Sequence, residues 1–174
     1  MGYTSNQKAW IGLRLSLGLI FLWAFVDKLF GLGFATCRNA ETGAVTYMCQ
    51  NAWINGGSPT TGFLKFAATG PFASFYNMLA GNAIIDVLFM LGLLTVGITL
   101  TLGIAMRLGS YIGALMVFLM WTALLPPENN PLLDDHIVYL FAFLVLAGSK
   151  AGEIFSLDKW WAKTSLAKKY RLLR

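Results

Sequence analysis

Long apolar segments recur along the chain and are separated by shorter, more polar stretches. Each segment approaches the roughly 20 residues that cross a bilayer as an α-helix, and none alternates apolar and polar residues as barrel strands do. The predicted spans are residues 10–31, 81–106, 108–125 and 132–151. The first lacks a small-residue cleavage site before a polar domain, so we expect an uncleaved helix. The pattern predicts an all-α, integral membrane four-helix bundle in one domain, with an outer loop at 32–80 and a tail at 152–174.

Composition strengthens the membrane interpretation. Of the 174 residues, 57% are hydrophobic and only 12% are charged, whereas soluble domains carry about 25% charged residues. A soluble chain of this length could not cover its surface with so few charges. We therefore expect lipid to contact the apolar segments.

The distribution of basic residues predicts the orientation in the membrane. Lys8 and Arg14 lie near the amino end, and Arg107 lies between the second and third spans. The loop between the third and fourth spans holds acidic residues but no Lys or Arg. The tail carries Lys159, Lys163, Lys168, Lys169, Arg171 and Arg174. The positive-inside rule then predicts a multi-pass protein of the inner or plasma membrane with both termini cytoplasmic. The net charge of +5 is a topology signal, and no motif points to nucleic acid.

The outer loop at 32–80 is rich in aromatic residues and glycine rather than disordered in composition. It predicts one or two short helices, broken at Gly70-Pro71. Cys37 and Cys49 lie in this loop, on the side where disulfides persist. A disulfide that closes the loop is the leading interpretation, ahead of a redox-active pair and of a metal site.

Ionisable residues near the outer ends of the spans are the candidate functional groups, because charge in a membrane is costly. They are Asp27 and Lys28 in the first span, Asp86 in the second, and Asp134, Asp135 and His136 at the start of the fourth. Asn130 as a cap and Pro131 as the first helical residue would account for the two adjacent acids. Arg14, near the cytoplasmic end, is expected to snorkel to the interface. The outer cluster fits either an ion-pair network or a binding site.

Aromatic residues are predicted at the same level as these polar groups. Trp23 and Tyr139 could form aromatic walls around a flat, partly polar ligand such as a quinone headgroup. An interfacial aromatic belt is the alternative. One histidine excludes bis-histidine haem ligation, and two cysteines exclude a four-thiolate iron–sulfur cluster. We expect no metal and no covalently bound cofactor.

Several blocks of the sequence resemble the DoxX/DoxD family of small four-helix membrane proteins. They are "RLSLGLIFLWAFVDKLFGLGFAT" at 14–36, "AWINGGSPTTGFLKF" at 52–66, "GPF" at 70–72 and "LPPENNPLLDDHIVYLFAFLVLA" at 125–147. The DoxD branch is the membrane subunit type of thiosulfate:quinone oxidoreductase. The resemblance implies oxidation of thiosulfate at the outer face, quinone as co-substrate and a separately encoded partner subunit. The insert "CRNAETGAVTYMC" departs from the family pattern.

Two hypotheses follow. In the first, the chain is a quinone-linked oxidoreductase subunit acting on thiosulfate or a related sulfur compound. Its catalytic residues would be Asp86, Asp135 and His136, with Asp27, Lys28, Trp23 and Tyr139 binding substrate. In the second, the chain is a non-catalytic accessory subunit or a small-molecule binding or carrier protein, and the same charges hold the loop to the bundle. The sequence leaves a homo-oligomer open.

Overall fold

The computed structural model describes residues 2–173, and within that range the chain is all helical, as the hydrophobic pattern predicts. The α-helices are α1 (Ser5–Phe30), α2 (Ala73–Leu79), α3 (Ala83–Leu102), α4 (Met106–Ala123), α5 (Asp135–Gly148), α6 (Asp158–Trp161) and α7 (Ser165–Lys169). Shorter 3₁₀ or π turns lie at Trp53–Asn55, Phe63–Ala67, Gly70–Phe72, Ala151–Glu153 and Arg171–Leu173. An isolated antiparallel bridge pairs Arg38 with Val45.

Helices α1, α3, α4 and α5 pack around one hydrophobic core. The pairing of α1 with α3 is antiparallel and close, because glycines lie at the contact. A Cβ added at Gly18 would lie 2.7 Å from the Thr101 backbone nitrogen, and one at Gly97 would lie 2.8 Å from Leu22 Cα. The rings of Phe21 on α1 and Phe143 on α5 meet edge to face, with centroids 5.4 Å apart. The core side chains come from all four helices and include Leu17, Phe21, Met90, Val96, Val117 and Phe143.

The helical core has two ends with different coverings. At the loop end, α1 and α4 finish, α3 and α5 begin, and residues 32–80 pack on top. At the tail end, α3 and α5 finish, α4 begins, and residues 149–173 fold back. The tail is attached by a hydrogen bond from Leu157 N to Leu102 O of 3.0 Å.

The sides of the helices are apolar and exposed. Leu88 on α3 is 60% exposed, Leu115 on α4 58% and Phe141 on α5 61%. Helices α1, α3 and α4 are long and apolar enough to cross a membrane, and α5 is a shorter apolar helix. A membrane location therefore accounts for a surface that water would solvate poorly.

Several helix boundaries differ from the predicted ones. Helix α1 starts at Ser5 rather than residue 10, because Thr4 and Gln7 form a capping box ahead of the apolar run. Helix α3 stops at Leu102 rather than 106, since Gly103 takes a left-handed conformation there.

The fourth helix is shorter than the predicted span of 132–151. Asn130 does not cap it, and Pro131 is not its first residue. Instead, the Asn130 side chain accepts from Leu132 N at 2.9 Å and Leu133 N at 3.0 Å, which forms a separate turn. Asp134 is the N-cap, with its side chain accepting from His136 N, so the helix begins at Asp135.

The second half of the outer loop lies across the end of α4. The Phe63–Ala67 turn and α2 flank Gly70-Pro71, as the sequence suggested for this stretch. Leu64, Tyr76 and Ala123 form a second, smaller apolar cluster. The Tyr76 hydroxyl lies 3.1 Å from Leu119 O and 2.6 Å from Thr122 Oγ1, which ties α2 to α4.

Candidate functional site

Asp27 lies in the last turn of α1 and is only 1% exposed. Its Oδ1 accepts from Phe34 N at 3.1 Å, and its Oδ2 accepts from Ala35 N at 2.9 Å and Thr36 N at 3.1 Å. The chain turns sharply after the helix and presents three consecutive backbone N–H groups to this carboxylate. Hydrogen bonds to a charged acceptor are among the stronger ones, so Asp27 acts as an anchor for the start of the outer loop.

A disulfide joins Cys37 to Cys49 just beyond this anchor, with the Cα atoms 5.7 Å apart. The segment closed by the disulfide is also held to the end of α1 by a hydrogen bond of 3.1 Å, which Met48 N donates to Gly31 O. The side-chain amide of Asn55 donates to Met48 O at 2.7 Å. The first half of the outer loop is therefore fixed both covalently and by hydrogen bonds.

Asp86 lies in the first turn of α3 and is buried. One oxygen, Oδ1, accepts from Ser58 Oγ at 2.8 Å, from Thr60 N at 3.3 Å and from the Thr60 hydroxyl. Asp86 thus holds a second part of the outer loop, far in sequence from the part that Asp27 holds. Like Asp27, Asp86 is a buried carboxylate that accepts hydrogen bonds from uncharged donors of the loop.

Lys28 and Trp23 sit on the side of α1 near the loop end. Lys28 is half-buried, and within residues 2–173 no carboxylate comes within ion-pair distance of it. Trp23 is 47% exposed, and its ring meets Phe34 edge to face with centroids 5.0 Å apart. These two residues form part of an open surface around the loop anchor.

His136 pairs with the acid that caps its own helix. Its Nδ1 lies 2.9 Å from Asp134 Oδ2 and 3.6 Å from Asp135 Oδ1. With Asp134 ionised, Nδ1–H donates to it and Nε2 is left as the atom that can exchange a proton. The His136 and Asp134 side chains are 16% and 17% exposed, whereas Asp135 is 72% exposed. Tyr139, one turn further along α5, packs against the main core.

No family model, curated protein or solved structure matches this chain.

The predicted site residues therefore form three separate groups rather than one network. Across the described part of the chain, the ion pairs at the loop end are confined to His136 with Asp134 and Asp135. The ligand atoms of these three residues lie within 4.8 Å of one another, a proximity that the N-cap geometry of α5 produces without a metal ion. Asp27 and Asp86 hold the loop, and the imidazole–carboxylate pair of α5 is the group with accessible proton chemistry.

Arg14 is the buried charge whose environment sequence reasoning missed. It does not snorkel to the interface; it is 0% exposed. Its Nη1 donates to Leu100 O at 2.9 Å and Thr101 O at 3.4 Å, and its Nη2 donates to Ile154 O at 3.4 Å and Phe155 O at 2.7 Å. The only available signal was Gly103, which marks a helix end with free carbonyls nearby.

These contacts complete the hydrogen bonding at the end of α3. The last four carbonyls of a helix have no partner within it. Thr99 O accepts from Gly103 N and Ile104 N, and Leu102 O accepts from Leu157 N. Arg14 supplies the donors for the remaining two, at the negative end of the helix dipole. One side chain thus joins α1, α3 and the tail.

Proposed function

We propose that the chain is an integral membrane protein of the DoxX/DoxD type, with four membrane-crossing helices and both termini cytoplasmic. The exposed apolar sides of α1, α3 and α4 support the membrane placement. The concentration of Lys and Arg at the tail end supports the orientation. The sequence blocks at 14–36 and 125–147 support the family.

The short helix α5 is compatible with this arrangement. Its 14 residues span about 21 Å at 1.5 Å per residue, and the exposed Leu132 and Leu133 continue the apolar surface. Non-helical backbone in a membrane needs internal hydrogen bonds. Here Leu132 O accepts from Trp121 Nε1 at 3.0 Å, while Asn130 accepts from the two leucine N–H groups.

The function we propose is that of a quinone-linked oxidoreductase subunit acting on thiosulfate or a related sulfur compound at the loop end. Two thiosulfates would each lose one electron and join through a new S–S bond. One quinone would take up both electrons and two protons to become a quinol. The observation that carries this proposal is the partly exposed His136–Asp134 pair at the start of an apolar helix, because quinone reduction needs a proton donor at that depth.

The other residues of the loop end have supporting roles in this proposal. Lys28 has no carboxylate within ion-pair distance in the described range, and Arg38 and Lys65 are exposed on the loop, so all three favour approach of an anion. Trp23 and Tyr139 offer aromatic surface to a quinone ring. Asp86 has its Oδ1 occupied by three donors, so we assign proton delivery to His136, with Asp135 next to it.

The test is reduction of a soluble quinone analogue by thiosulfate with the purified protein in detergent. His136→Gln should lower the rate about 100-fold, within the range for a lost proton donor. Asp134→Asn should also lower the rate. Because Asn caps helices as well as Asp does, this variant should still fold. The exposed Glu128→Gln is the matched control and should keep full activity. Equal activity in all three variants would remove His136 from the mechanism.

A second candidate function is a non-catalytic accessory or binding subunit. The observation that favours it is that Asp27 and Asp86 both accept from loop donors and so have structural roles. This candidate predicts no thiosulfate-dependent electron transfer, with or without added membrane fractions that supply a partner subunit. Activity that appears only with such a fraction would instead support a catalytic complex with a separate subunit.

A further inference from the structure

A cleft of about 830 Å³ opens at the tail end of the helical core. Its walls come from the start of α4, the end of α5 and the folded tail, including Met106, Ser149 and Ala167. Ala167 is only 2% exposed, so α7 is packed against the rest of the molecule. The cleft is therefore part of the fold, and its walls are fixed relative to the helix ends.

The lining of this cleft is strongly basic. Its cations are Arg107, Lys150, Lys159, Lys168 and Lys169, and its acids are Glu153 and Asp158. Five cations against two carboxylates leave a formal excess of three positive charges. Like charges brought together in one concave site repel each other, and a bound anion would relieve that repulsion.

The start of α4 adds to the preference for an anion. Its N-cap is Ala105, which makes no side-chain cap, so no side-chain oxygen of that residue accepts from the first-turn N–H groups. The N-terminus of a helix carries partial positive charge and free N–H donors. At the other wall, the end of α5 is partly closed by Ser149, whose hydroxyl donates to Leu146 O at 3.0 Å.

The surroundings of the cleft are those of a membrane surface. It lies where the apolar helix α4 begins and α5 ends, and the tail next to it exposes Trp160 (64%), Leu166 (53%) and Tyr170 (50%). Aromatic and apolar side chains mixed with Lys are typical of segments at headgroup level. A phospholipid whose phosphate is bound here would have its acyl chains beside the exposed apolar sides of the helices.

We propose that this cleft binds the phosphate headgroup of an anionic phospholipid. The inference goes beyond quinone chemistry at the loop end and rests only on the membrane placement in the proposed function. Basic pockets between helix ends on the cytoplasmic side are a recognised way to bind anionic headgroups. The bound lipid would link α4, α5 and the tail through one charged group.

The test compares phosphatidylglycerol with phosphatidylcholine added to the full chain in neutral detergent, followed by native mass spectrometry and thermal unfolding. We expect retention of phosphatidylglycerol and a rise in unfolding temperature that phosphatidylcholine does not give. Arg107→Gln with Lys168→Gln removes a cation from two different walls of the cleft. This double variant should bind phosphatidylglycerol about tenfold to thirtyfold more weakly.

The matched control is Lys8→Gln with Lys163→Gln, which removes the same net charge outside the cleft. It should bind phosphatidylglycerol as the parent does. Equal weakening in both double variants would mean diffuse surface attraction and would overturn the site. Inorganic phosphate that displaces the lipid at equal concentration would also overturn it, in favour of a soluble phosphate compound.

An alkaline carbonate wash of membranes separates the two proposals. Protein that stays in the membrane pellet but shows no preference for phosphatidylglycerol overturns the cleft assignment alone. Protein released by the wash overturns the membrane placement as well. The quinone assay with His136→Gln is independent of either result.

Discussion

At the tail end of the helical core a buried guanidinium donates to backbone carbonyls, whereas at the loop end two buried carboxylates accept from N–H and hydroxyl groups. Within the described residues, neither Arg14 nor the two acids, Asp27 and Asp86, form an ion pair with another side chain. The sign of each charge matches the backbone groups that need partners. Helix α3 ends in free carbonyls at the tail end, and the loop that follows α1 presents free N–H groups.

This difference teaches how a small apolar bundle can fix irregular segments to its ends. A buried charge with neutral partners makes stronger hydrogen bonds than a neutral side chain would. It also needs no second buried charge, whose desolvation would be costly. Each end can then be altered separately by a single substitution.

The largest effect is expected for Arg14→Met, which keeps an apolar stem but removes every donor to Leu100 O and Phe155 O. Two carbonyls at the end of α3 would lose their partner, and the tail would keep the Leu157–Leu102 hydrogen bond but lose its two contacts with Arg14. We expect the free energy of unfolding in detergent to fall by about 3–5 kcal/mol. Lys8→Met, on the exposed start of the same helix, is the control and should change it by less than about 0.5 kcal/mol. Equal stability of the two variants would contradict the assigned role of Arg14.

The next effect concerns the covalent link at the loop end. Replacing both Cys37 and Cys49 by Ser opens a segment closed over a sequence separation of 12, which should cost about 2–3 kcal/mol. The loss should appear as faster proteolysis between residues 37 and 49, because Asp27 still holds residues 34–36. The parent protein treated with reductant should behave as the double variant does; a reductant with no effect would mean that the disulfide does not stabilise the loop.

The sequence predicted these features unevenly, and separation along the chain explains why. Long apolar runs identify the helices, whereas local capping rules placed the start of α5 wrongly at Asn130 and Pro131. The structure has Asp134 as the cap instead. Asp27 accepts from backbone N–H groups seven to nine residues further along the chain. At that short sequence separation, a contact between a helix end and the following loop can still be inferred. Arg14 meets Leu100 and Phe155, 86 and 141 residues away. Only the packing of α1 on α3 brings those carbonyls to it, so the sequence alone suggested snorkelling.

Two glycines with nearly the same φ angle, one at the tail end and one at the loop end, allow the cost of an added Cβ to be compared between the two ends. Gly103 has φ of +69° and Gly43 has φ of +70°, so Ala at either site carries a left-handed strain of about 1 kcal/mol. At Gly43 a Cβ meets nothing within 4 Å, whereas at Gly103 it would overlap Arg14 Nη1. We expect Gly103→Ala to cost about 2–3 kcal/mol and Gly43→Ala about 1 kcal/mol, measured by thermal unfolding. The added Cβ would also overlap Ser156 Cβ, so equal costs would show that Arg14 and Ser156 can both move without loss.

The smallest and sharpest comparison lies within the loop end, between Asp27→Asn and Asp86→Asn. Asp27 uses both oxygens as acceptors. In asparagine one of these oxygens becomes an NH₂ group, which is a donor and cannot accept a hydrogen bond from the backbone N–H that faces it. Asp86 uses Oδ1 for all three donors, and an asparagine oxygen in that position keeps them all. Asp27→Asn should therefore cost about 2 kcal/mol and Asp86→Asn less than about 1 kcal/mol. Thermal unfolding in detergent gives both values, and hydrogen exchange at Phe34, Ala35 and Thr36 should rise only in Asp27→Asn. If Asp86→Asn proves the more costly, its negative charge matters beyond these hydrogen bonds, and Asp86 returns to the candidates for proton transfer.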